Sequence, residues 1–217
     1  DLAALERPPD VLVVDDGSRD ATAEVARSFG ARVHSFAANR GKGHALIAGF
    51  AALLDYDAVI VLDADGQHPP ECVPVFAAAA EAGADVVLGR RAFGGDMPPS
   101  RRFANAFSSR WTTAVAGQRI TDSQCGYRLY RREVLATVPV TPGRYEVESE
   151  MVVRSARLGF RLAEVEIPTV YGEERSGIRL TSDVPRIVGT LLRLTFEAWS
   201  PPAAMREAMR GRARGAG

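Results

Sequence analysis

Short apolar runs alternate with helical patterns along most of this chain, and each run ends at a polar or glycine-containing turn. The first runs cover residues 11–14, 31–36 and 58–62, and apolar residues at helical spacing follow each of them. Strand and helix signals in this alternating order are typical of a mostly parallel sheet with crossover helices. We therefore expect an α/β fold. Because the third run is apolar on both faces, we place it in the interior of the sheet.

The second half of the chain continues this pattern with longer interruptions. Residues 85–88 and 160–167 have strand character, and residues 147–158 have helical character. Residues 94–100 have the composition of a mobile loop. The apolar residues of 184–199 fall at helical spacing and leave two interpretations open. They form either an amphipathic helix on an anionic membrane leaflet or a helix packed on the core of the domain.

Length and composition fit one domain with an appended helix. A chain of 217 residues, of which 46% are hydrophobic, can bury a core of single-domain size. We assign residues 1–183 to this domain and residues 184–217 to the amphipathic helix and a basic, disordered tail. Lysine plus arginine and aspartate plus glutamate both number 27, so no net field favours nucleic acid as a partner.

Cysteine usage and hydropathy predict the compartment. Cys72 and Cys125 are too few for a disulfide framework and are not spaced as a metal site. Neither a signal-peptide pattern nor an apolar run long enough to span a bilayer is present in the sequence. These features predict a cytoplasmic protein, in which the segment 184–199 is the candidate for peripheral contact with the inner face of the membrane.

Carboxylates follow two of the predicted strands at the point where each strand ends. Asp15 and Asp16 come directly after the first run, and Asp63 and Asp65 directly after the third. Ligands of open parallel sheets bind at the carboxyl ends of the strands. The two aspartates of an Asp-x-Asp (DxD) pair on extended backbone point to the same side, which suits Mg²⁺ or Mn²⁺. A solvated turn is the commoner explanation of an isolated pair, but the second acidic strand end favours the metal site.

A glycine-rich turn, Asn39-Arg40-Gly41-Lys42-Gly43, precedes the second predicted helix. Its backbone amides, the ammonium of Lys42 and the helix N-terminus together form a setting for phosphate. An ordinary helix-entry turn explains the same residues equally well. The turn matches neither the G-x-G-x-x-G dinucleotide pattern nor the G-x-x-x-x-G-K-[ST] phosphate loop, which disfavours a nicotinamide dehydrogenase and a P-loop NTPase.

Four ordered motifs carry a family resemblance. They are Asp15-Asp16-Gly17-Ser18, Asn39-x-Gly41-Lys42-Gly43, Asp63-Ala64-Asp65-Gly66-Gln67-His68-Pro69 and Asp122-Ser123-Gln124-Cys125-Gly126-Tyr127. In this order they resemble family 2 glycosyltransferases, in particular the polyprenyl-phosphate branch that includes dolichyl-phosphate mannosyltransferases. The likeness extends over the chain to the region of Leu180. Four motifs in the right order are far more specific than any one of them.

The resemblance implies a GT-A type fold, in which a mostly parallel central sheet is flanked by helices, and a role for each matched position. The residues implied for the nucleotide and its diphosphate are Asp15, Asp16, Lys42 and Asp63, and those implied for the Mg²⁺ or Mn²⁺ ion are Asp63, Asp65 and Gln67. Asp122 and Gln124 are expected beside the transferred sugar. Arg101 and Arg102 resemble the arginines that receive an acceptor phosphate, and a solvated helix start is the alternative for both.

The family implies an inverting hexosyl transfer from a nucleotide-diphosphate sugar to a polyprenyl phosphate, either dolichyl or undecaprenyl. A phosphate monoester is largely ionised near neutral pH, because its second pKa is about 6, and it attacks without a general base. A sugar hydroxyl needs a carboxylate within hydrogen-bond reach, and Asp122 is the candidate for that task. With either acceptor the metal offsets the charge that builds on the departing diphosphate.

Two other functions share these features. A sugar-1-phosphate nucleotidyltransferase has a similar sheet and acidic metal site, and a truncated, non-catalytic nucleotide-sugar binding domain would retain the motifs without transfer.

The start of the chain departs from the family pattern. Members usually begin with an apolar strand and a Pro-x-x-Asn-Glu type segment, whereas residues 1–5 show neither. We therefore expect an internal strand of the sheet to be absent, either because the chain is a fragment or because something else fills the gap. Unpaired strand edges favour pairing with other chains, so self-association is expected.

Overall fold

The computed structural model describes residues 2–6, 8–91, 99–141, 143, 146–168 and 183–197. Within these ranges the strands are β1 (Leu12–Asp15), β2 (Arg32–Ser35), β3 (Ala58–Val61), β4 (Val86–Arg91), β5 (Arg128–Arg131) and β6 (Leu162–Ile167). The α-helices are α1 (Thr22–Ser28), α2 (Lys42–Ala52), α3 (Val73–Glu81), α4 (Pro99–Ala116), α5 (Arg132–Thr137), α6 (Glu146–Arg157) and α7 (Asp183–Phe196). Strands alternate with helices along the chain, as expected for the α/β class.

The strands form two sheets. β1 and β2 pair in parallel. The other sheet has the order β3-β5-β4-β6, in which β4 and β6 are parallel and β5 is antiparallel to both β3 and β4. The strands β3, β4 and β6 therefore run in one direction and β5 in the opposite one. Sequence patterns did not predict β5 or α5, because arginines at Arg128, Arg131 and Arg132 interrupt the apolar alternation there.

Among the described residues, β3 lies at an edge of its sheet, whereas its apolar sequence predicts an interior strand. The burial of β3 agrees with the edge position, since Val59 is buried but Ile60 and Val61 are only half-buried. β1 likewise pairs with β2 alone. The expectation that an internal strand of the sheet is absent stays a prediction.

Two apolar clusters cover the two faces of the four-stranded sheet. Val86 and Leu88 of β4 point to one face, where residues of α2, α6 and α7 pack against them. Val87 points to the other face and packs with Phe76 and Ala80 of α3. The loops that follow β3 and β4 are therefore anchored in a sheet that is buried on both sides.

Helix α7 packs on the first of these clusters. Its residues Ile187, Leu191 and Leu194 are buried in the same core as α6. Ile187 and Leu191 of the predicted stripe therefore face the core of the domain, as in the second of the two interpretations, whereas Leu192 is 43% exposed. No helix in the described ranges is long and apolar enough to cross a membrane.

An ionic network also fastens α7 to α6. Glu150, which is 1% exposed, accepts hydrogen bonds from Arg154 Nε and Arg193 Nη2, each at 2.9 Å. Arg154 Nη2 in turn lies 3.2 Å from Glu197. Since each buried charge has a partner, the network holds the two helices in one arrangement without leaving an isolated ion.

Candidate active site

The two aspartates at the end of β1 are held in different ways. Asp15 is 7% exposed, and its Oδ1 accepts the backbone N–H of Ser18 at 2.9 Å. The Ser18 hydroxyl and N–H hold the pKa of the Asp15 carboxyl below its usual range. Asp16 accepts the N–H of Arg40 on Oδ1 at 2.7 Å and the N–H of Gly41 on Oδ2 at 2.8 Å. The Asp16 carboxylate thereby ties this loop to the glycine-rich turn.

Lys42 is the cation that the glycine-rich turn brings to the site. It is the first residue of α2, and its Nζ lies 2.7 Å from Asp63 Oδ1 and 3.2 Å from Glu148 Oε1. Burial alone would lower the pKa of Lys42, but the charges of Glu148 and Asp63 outweigh burial and raise the pKa above its usual value. Lys42 is therefore a charged ammonium at neutral pH, held between two carboxylates.

Two glycines make room for this ion pair. A Cβ on Gly43 would lie 2.4 Å from the carbonyl oxygen of Gly143, so the start of α2 can approach the segment before α6 only with glycine at this position. A Cβ on Gly126 would lie 2.6 Å from Asp63 Oδ2 and 3.2 Å from Lys42 Nζ. The loop that contains Gly126 therefore covers the Lys42–Asp63 pair with backbone alone.

Asp63, Asp65 and Gln67 share the loop after β3. The N–H of Gln67 donates to Asp65 Oδ1 at 3.0 Å, which orients the Asp65 carboxylate, and both aspartates are partly exposed. Carboxylate and amide oxygens fit Mg²⁺ or Mn²⁺, and Mg²⁺ commonly uses one or two carboxylates together with substrate phosphates. The described residues contain no group of three or more His, Cys, Asp or Glu side chains that could hold a metal. A divalent ion at this loop would therefore take its further oxygen ligands from water or from a diphosphate.

His68 positions the backbone of the same loop. Its Nδ1 accepts the N–H of Asp63 at 2.9 Å, and its ring lies on that of Tyr127 with the centroids 5.1 Å apart. Tyr127 stacks on Phe76 with the centroids 4.4 Å apart and donates its hydroxyl to the carbonyl of Pro69 at 3.1 Å. Burial lowers the pKa of His68, so its Nδ1 keeps the lone pair that accepts this hydrogen bond. Because Nδ1 is used by the Asp63 amide, it does not serve as a metal ligand here.

Asp122 is buried and paired with Arg91, the last residue of β4. Arg91 donates from Nε to Asp122 Oδ2 at 2.7 Å and from Nη2 to Oδ1 at 3.0 Å, which is a bidentate ion pair. The Asp122 side chain is 0% exposed, and its Oδ1 also accepts the N–H of Gln124 at 3.1 Å. The sequence predicts Asp122 beside the transferred sugar. In this structure both of its carboxylate oxygens face Arg91.

The loop of residues 122–126 is fastened to α4. Gln124 Nε2 donates to Ser108 Oγ at 2.9 Å, and the N–H of Ser123 donates to Ser109 Oγ at 3.0 Å. These contacts fix the loop over Lys42 and Asp63 from the side of α4.

Arg101 and Arg102 lie in the first turn of the same helix α4, and the structure describes only their backbone. Of the predicted loop 94–100, residues 99 and 100 belong to α4, and 94–98 lie outside the described residues. The proposed contact of the two arginines with an acceptor phosphate therefore stays a prediction.

Arg128 connects the loop of 122–126 to α6 through the interior. It is 1% exposed and donates from Nε to the carbonyl of Cys125 at 2.8 Å, from Nη2 to that of Ser123 at 2.8 Å and from Nη1 to that of Glu148 at 2.7 Å. Burial disfavours its charge, but Tyr130 and Glu148 outweigh burial and raise the pKa of Arg128. Arg128 thus fixes two walls of the site relative to each other.

Three of these site residues were missed by sequence reasoning, and each left a signal. Arg91 ends a predicted strand, where ligand-binding residues concentrate. Arg128 interrupts an apolar run, and Glu148 lies on a helix in which most positions are buried. Charges at such buried positions are rare unless they are paired, which marks them as candidates for a site.

A pocket of about 790 Å³ lies beside α4, apart from the predicted site residues. Its lining residues are Ala106, Ser109, Arg110, Thr113, Ala114, Arg119, Ile120 and Thr121. Thr121 directly precedes Asp122, so the pocket adjoins the loop that covers the Lys42–Asp63 pair.

Comparison with known proteins shows the family. Residues 2–138 match the sequence profile described as "Glycosyl transferase family 2". An undecaprenyl-phosphate mannosyltransferase of Micrococcus luteus is 38% identical over 178 residues, which cover 76% of this chain and 73% of that protein. A dolichyl-phosphate hexose transferase of Haloferax volcanii is 35% identical over 182 residues, which cover 81% of this chain and 77% of that protein.

Solved structures show the same fold. The glucosyl-3-phosphoglycerate synthase of Mycobacterium tuberculosis, in complex with Mn²⁺, UDP-glucose and phosphoglyceric acid, superposes with a TM-score of 0.70 and 26% sequence identity. The likeness covers 85% of this chain and 68% of that one. It confirms the expected GT-A type α/β fold. This chain belongs to glycosyl transferase family 2 and is a glycosyltransferase with polyprenyl-phosphate sugar transferases among its relatives.

Proposed function

We propose that this chain transfers a sugar, with inversion, from a nucleotide-diphosphate sugar to a polyprenyl phosphate, assisted by a divalent metal ion. The observation that carries the proposal is the contact of Lys42 with Asp63, which lie 2.7 Å apart beneath the loop of 122–126. At this contact the glycine-rich turn, the loop after β3 and the loop of residues 122–126 come together. An ammonium and strand-end carboxylates in one place suit a diphosphate with its metal.

The donor nucleoside is assigned to the loop after β1. Asp15 and Asp16 are the residues proposed to hold the base and the ribose. Asp16 also fixes the N–H groups of Arg40 and Gly41, so it orients the turn that presents Lys42. Lys42 is proposed to lie against the diphosphate, where its charge attracts the donor.

The residues that would hold Mg²⁺ or Mn²⁺ are Asp63, Asp65 and Gln67. When bound, the ion offsets the charge that builds on the departing diphosphate. Support comes from the M. tuberculosis synthase, which was crystallised with Mn²⁺ and UDP-glucose. His68 would contribute by holding the Asp63 backbone, since its Nδ1 accepts the Asp63 N–H.

The geometry of Asp122 favours a phosphate as acceptor. A general base must lie within hydrogen-bond reach of the proton that it removes. The Asp122 carboxylate is fully buried and paired with Arg91 through both oxygens, which leaves it unsuited to accept a proton from a sugar hydroxyl. A phosphate monoester with a second pKa of about 6 needs no such base. In this arrangement Gln124 faces the sugar, and Arg101 and Arg102 receive the acceptor phosphate.

A polyprenyl chain places the reaction at a membrane surface. The relatives named for undecaprenyl-phosphate and dolichyl-phosphate transfer support such an acceptor. We therefore propose that the protein works from the cytoplasmic side, in peripheral contact with the inner face of the membrane. Self-association through the open strand edges belongs to the same proposal.

A second acceptor class is favoured by the fold comparison. The M. tuberculosis synthase was crystallised with phosphoglyceric acid, a small phosphorylated carboxylic acid. Such an acceptor also carries a phosphate, so Arg101 and Arg102 suit it as well, but attack by its hydroxyl would require a general base other than Asp122. The two classes differ in whether the acceptor is held in a bilayer.

A transfer assay with matched acceptors tests the proposal. The purified chain is incubated with UDP-sugars and GDP-sugars, with Mg²⁺, Mn²⁺ or EDTA, and with polyprenyl phosphate, unphosphorylated polyprenol or 3-phosphoglycerate. We expect product only with metal and with polyprenyl phosphate. Product from 3-phosphoglycerate alone would favour the second class.

Three results would contradict the proposal. Transfer to polyprenol as fast as to polyprenyl phosphate would show that the acceptor does not need a phosphate. Pyrophosphate release from a sugar 1-phosphate and a nucleoside triphosphate would indicate a nucleotidyltransferase. Donor binding without transfer to any acceptor would indicate a non-catalytic binding domain.

A further inference from the structure

We infer that Lys42 is the resident counter-ion of Asp63 and gives way to the metal ion, while Glu148 is the positioning residue that retains Lys42 during this exchange. The inference rests on the proposed metal site and deepens it.

Asp63 offers a metal the oxygen that Lys42 already holds. Lys42 Nζ lies 2.7 Å from Oδ1, while Oδ2 faces Gly126, where even a Cβ would come within 2.6 Å. Two cations at hydrogen-bond distance from one oxygen repel each other strongly in a partly buried site. A metal that binds Oδ1 of Asp63 must therefore displace Lys42 from that oxygen.

Glu148 provides the second position for the displaced ammonium. Its Oε1 lies 3.2 Å from Lys42 Nζ, and its side chain is only 10% exposed, so water solvates it poorly. A carboxylate in such surroundings is costly without a cation, which keeps Lys42 beside it. The flexible stem of lysine allows a shift of the ammonium between neighbouring carboxylates.

The backbone around Glu148 is fixed independently of Lys42. The carbonyl of Glu148 accepts Arg128 Nη1 at 2.7 Å, and Gly43 lies against Gly143 just before α6. Glu148 therefore stays in place while Asp63 changes partners. Lys42, held by Glu148, then keeps its charge within the site for the diphosphate of the donor.

Before any ligand binds, the ammonium of Lys42 contacts the carboxylates of both Asp63 and Glu148. A metal ion that binds alone must break the Lys42–Asp63 pair and gives Lys42 no new anionic partner. A diphosphate gives Lys42 a new partner, so metal and nucleotide should bind with positive coupling.

Mn²⁺ binding to the full chain tests the exchange without any acceptor. Free Mn²⁺ is measured by electron paramagnetic resonance, and UDP binding is measured by calorimetry with and without Mn²⁺. We expect Lys42→Met to bind Mn²⁺ alone about tenfold more tightly than the wild type, because the competing cation is gone. The same variant should bind UDP more weakly and lose the coupling between UDP and Mn²⁺. A merely structural role of Lys42 would weaken both ligands.

Glu148→Gln should lower the affinity for Mn²⁺, whereas Lys42→Met should raise it. With Glu148 neutral, Lys42 loses the charge of that carboxylate and relies more on Asp63, so Mn²⁺ binding should weaken by about three- to tenfold. Glu146→Gln is the matched control, since Glu146 lies on the same helix and its Oε2 has no hydrogen-bond partner among the described residues. This control should leave Mn²⁺ affinity unchanged.

The double variant Lys42→Met with Glu148→Gln separates the remaining explanations. If Glu148 acts through Lys42, Glu148→Gln should change Mn²⁺ affinity less in the Lys42→Met background than in the wild type. Should Lys42→Met alone fail to fold, the double variant, which lacks both charges, should still bind Mn²⁺ more tightly than Glu148→Gln does.

The inference is overturned if Lys42→Met binds Mn²⁺ no more tightly than the wild type, if Glu148→Gln has the same effect in both backgrounds, or if the wild type binds no Mn²⁺. Failure of the proposed function looks different. In that case the wild type transfers no sugar, while Mn²⁺ affinity still falls from Lys42→Met through the wild type to Glu148→Gln. This result would contradict the proposed reaction and support the exchange of Lys42 for the metal.

Discussion

The two sheets of this protein differ in how deeply they are buried. In the four-stranded sheet, Val86, Val87 and Leu88 of β4 are at most 1% exposed, with apolar clusters on both faces. In the two-stranded sheet, three of the four residues of β2 are exposed, and α1 has no buried residue. Phe29, which follows α1, is 86% exposed. Apolar burial therefore stabilises the larger sheet far more than the smaller one.

The candidate active site spans this difference. Asp15 ends the lightly buried β1 and Asp16 follows it, whereas Asp63 and Asp122 lie in loops anchored to the deeply buried sheet. The two parts meet through polar contacts, of which the hydrogen bonds from Asp16 to the glycine-rich turn are the clearest. Regions with few buried apolar contacts open at low free energy, and ligand-binding segments are often drawn from them. The smaller sheet should thus depend on its polar contacts and on bound nucleotide for order.

The largest effect is expected for Asp65→Asn, which should lower the transfer rate strongly but hardly change the stability of the fold. Asp65→Asn should lower transfer by about a hundredfold or more, because it removes a carboxylate from the metal site where charge develops. The free energy of unfolding should change by only about 0.5 kcal/mol, as for other partly exposed side chains. Initial transfer rates and urea unfolding measure the two quantities.

Asp57→Asn is the matched control for Asp65→Asn. Asp57 directly precedes β3, at the opposite end of the strand, and its side chain is 91% exposed. The control should retain full activity. Equal activity of the two variants would refute the metal assignment.

Arg128→Met should have the largest effect on stability among the site residues. It leaves the carbonyls of Ser123, Cys125 and Glu148 without their buried donor, and we expect a loss of about 3 kcal/mol in the free energy of unfolding. Arg132→Met, which breaks only an exposed pair with Asp57, should cost about 0–1 kcal/mol. If urea unfolding finds the two losses equal, the deep burial of Arg128 contributes no extra stability.

Asp16→Ala should reveal how strongly the smaller sheet depends on polar contacts. The change removes the acceptor of two backbone N–H groups that orient Lys42, so UDP affinity should fall about tenfold, which equals about 1.4 kcal/mol. Asp20→Ala is the control, since Asp20 lies in the same loop and accepts the N–H of Thr22 locally at 3.1 Å. Calorimetry that finds the same UDP affinity in both variants would contradict the role of Asp16.

Hydrogen exchange compares the two sheets directly. Amides of β1 and β2 should exchange faster than those of β4 and β6, because fewer buried contacts must be broken to expose them. UDP with Mn²⁺ should slow exchange in β1 and β2 more than in the larger sheet. Equal protection of both sheets without ligand would show that the smaller sheet is as stable against opening as the larger one.

Local sequence patterns predicted most of the elements that position the site. The runs at 11–14 and 58–62 correspond to β1 and β3, and the helical segment at 147–158 corresponds to α6. These predictions succeeded because an apolar period is a local property that tertiary contacts here reinforce. The ordered motifs likewise identified the loops that meet at Lys42.

Contacts between distant parts of the chain account for what the sequence left open. The pairing of Asp122 with Arg91, and that of Lys42 with Glu148, joins residues on different elements, and no local pattern encodes either contact. β5 was missed for a related reason, because Arg128 reads as polar in isolation but is satisfied by carbonyls of other segments. The edge position of β3 depends on its neighbours in the sheet, which an apolar run alone does not specify.

The smallest expected effect concerns the acid sensitivity of the smaller sheet. The Ser18 hydroxyl and N–H lower the pKa of Asp15 from its ordinary value of 3.8. A carboxyl whose pKa is lower in the folded protein stabilises the fold above its unfolded pKa and loses this contribution as the pH falls through the folded pKa. Ser18→Ala removes the hydroxyl, so it should lower the melting temperature slightly at neutral pH, and the difference from the wild type should shrink as the pH falls below 3.8. Ser28→Ala, whose exposed hydroxyl donates to the carbonyl of Val25, should show no such pH dependence. A Ser18→Ala deficit that persists unchanged in acid would mean that the hydroxyl stabilises the loop by a route other than the Asp15 charge.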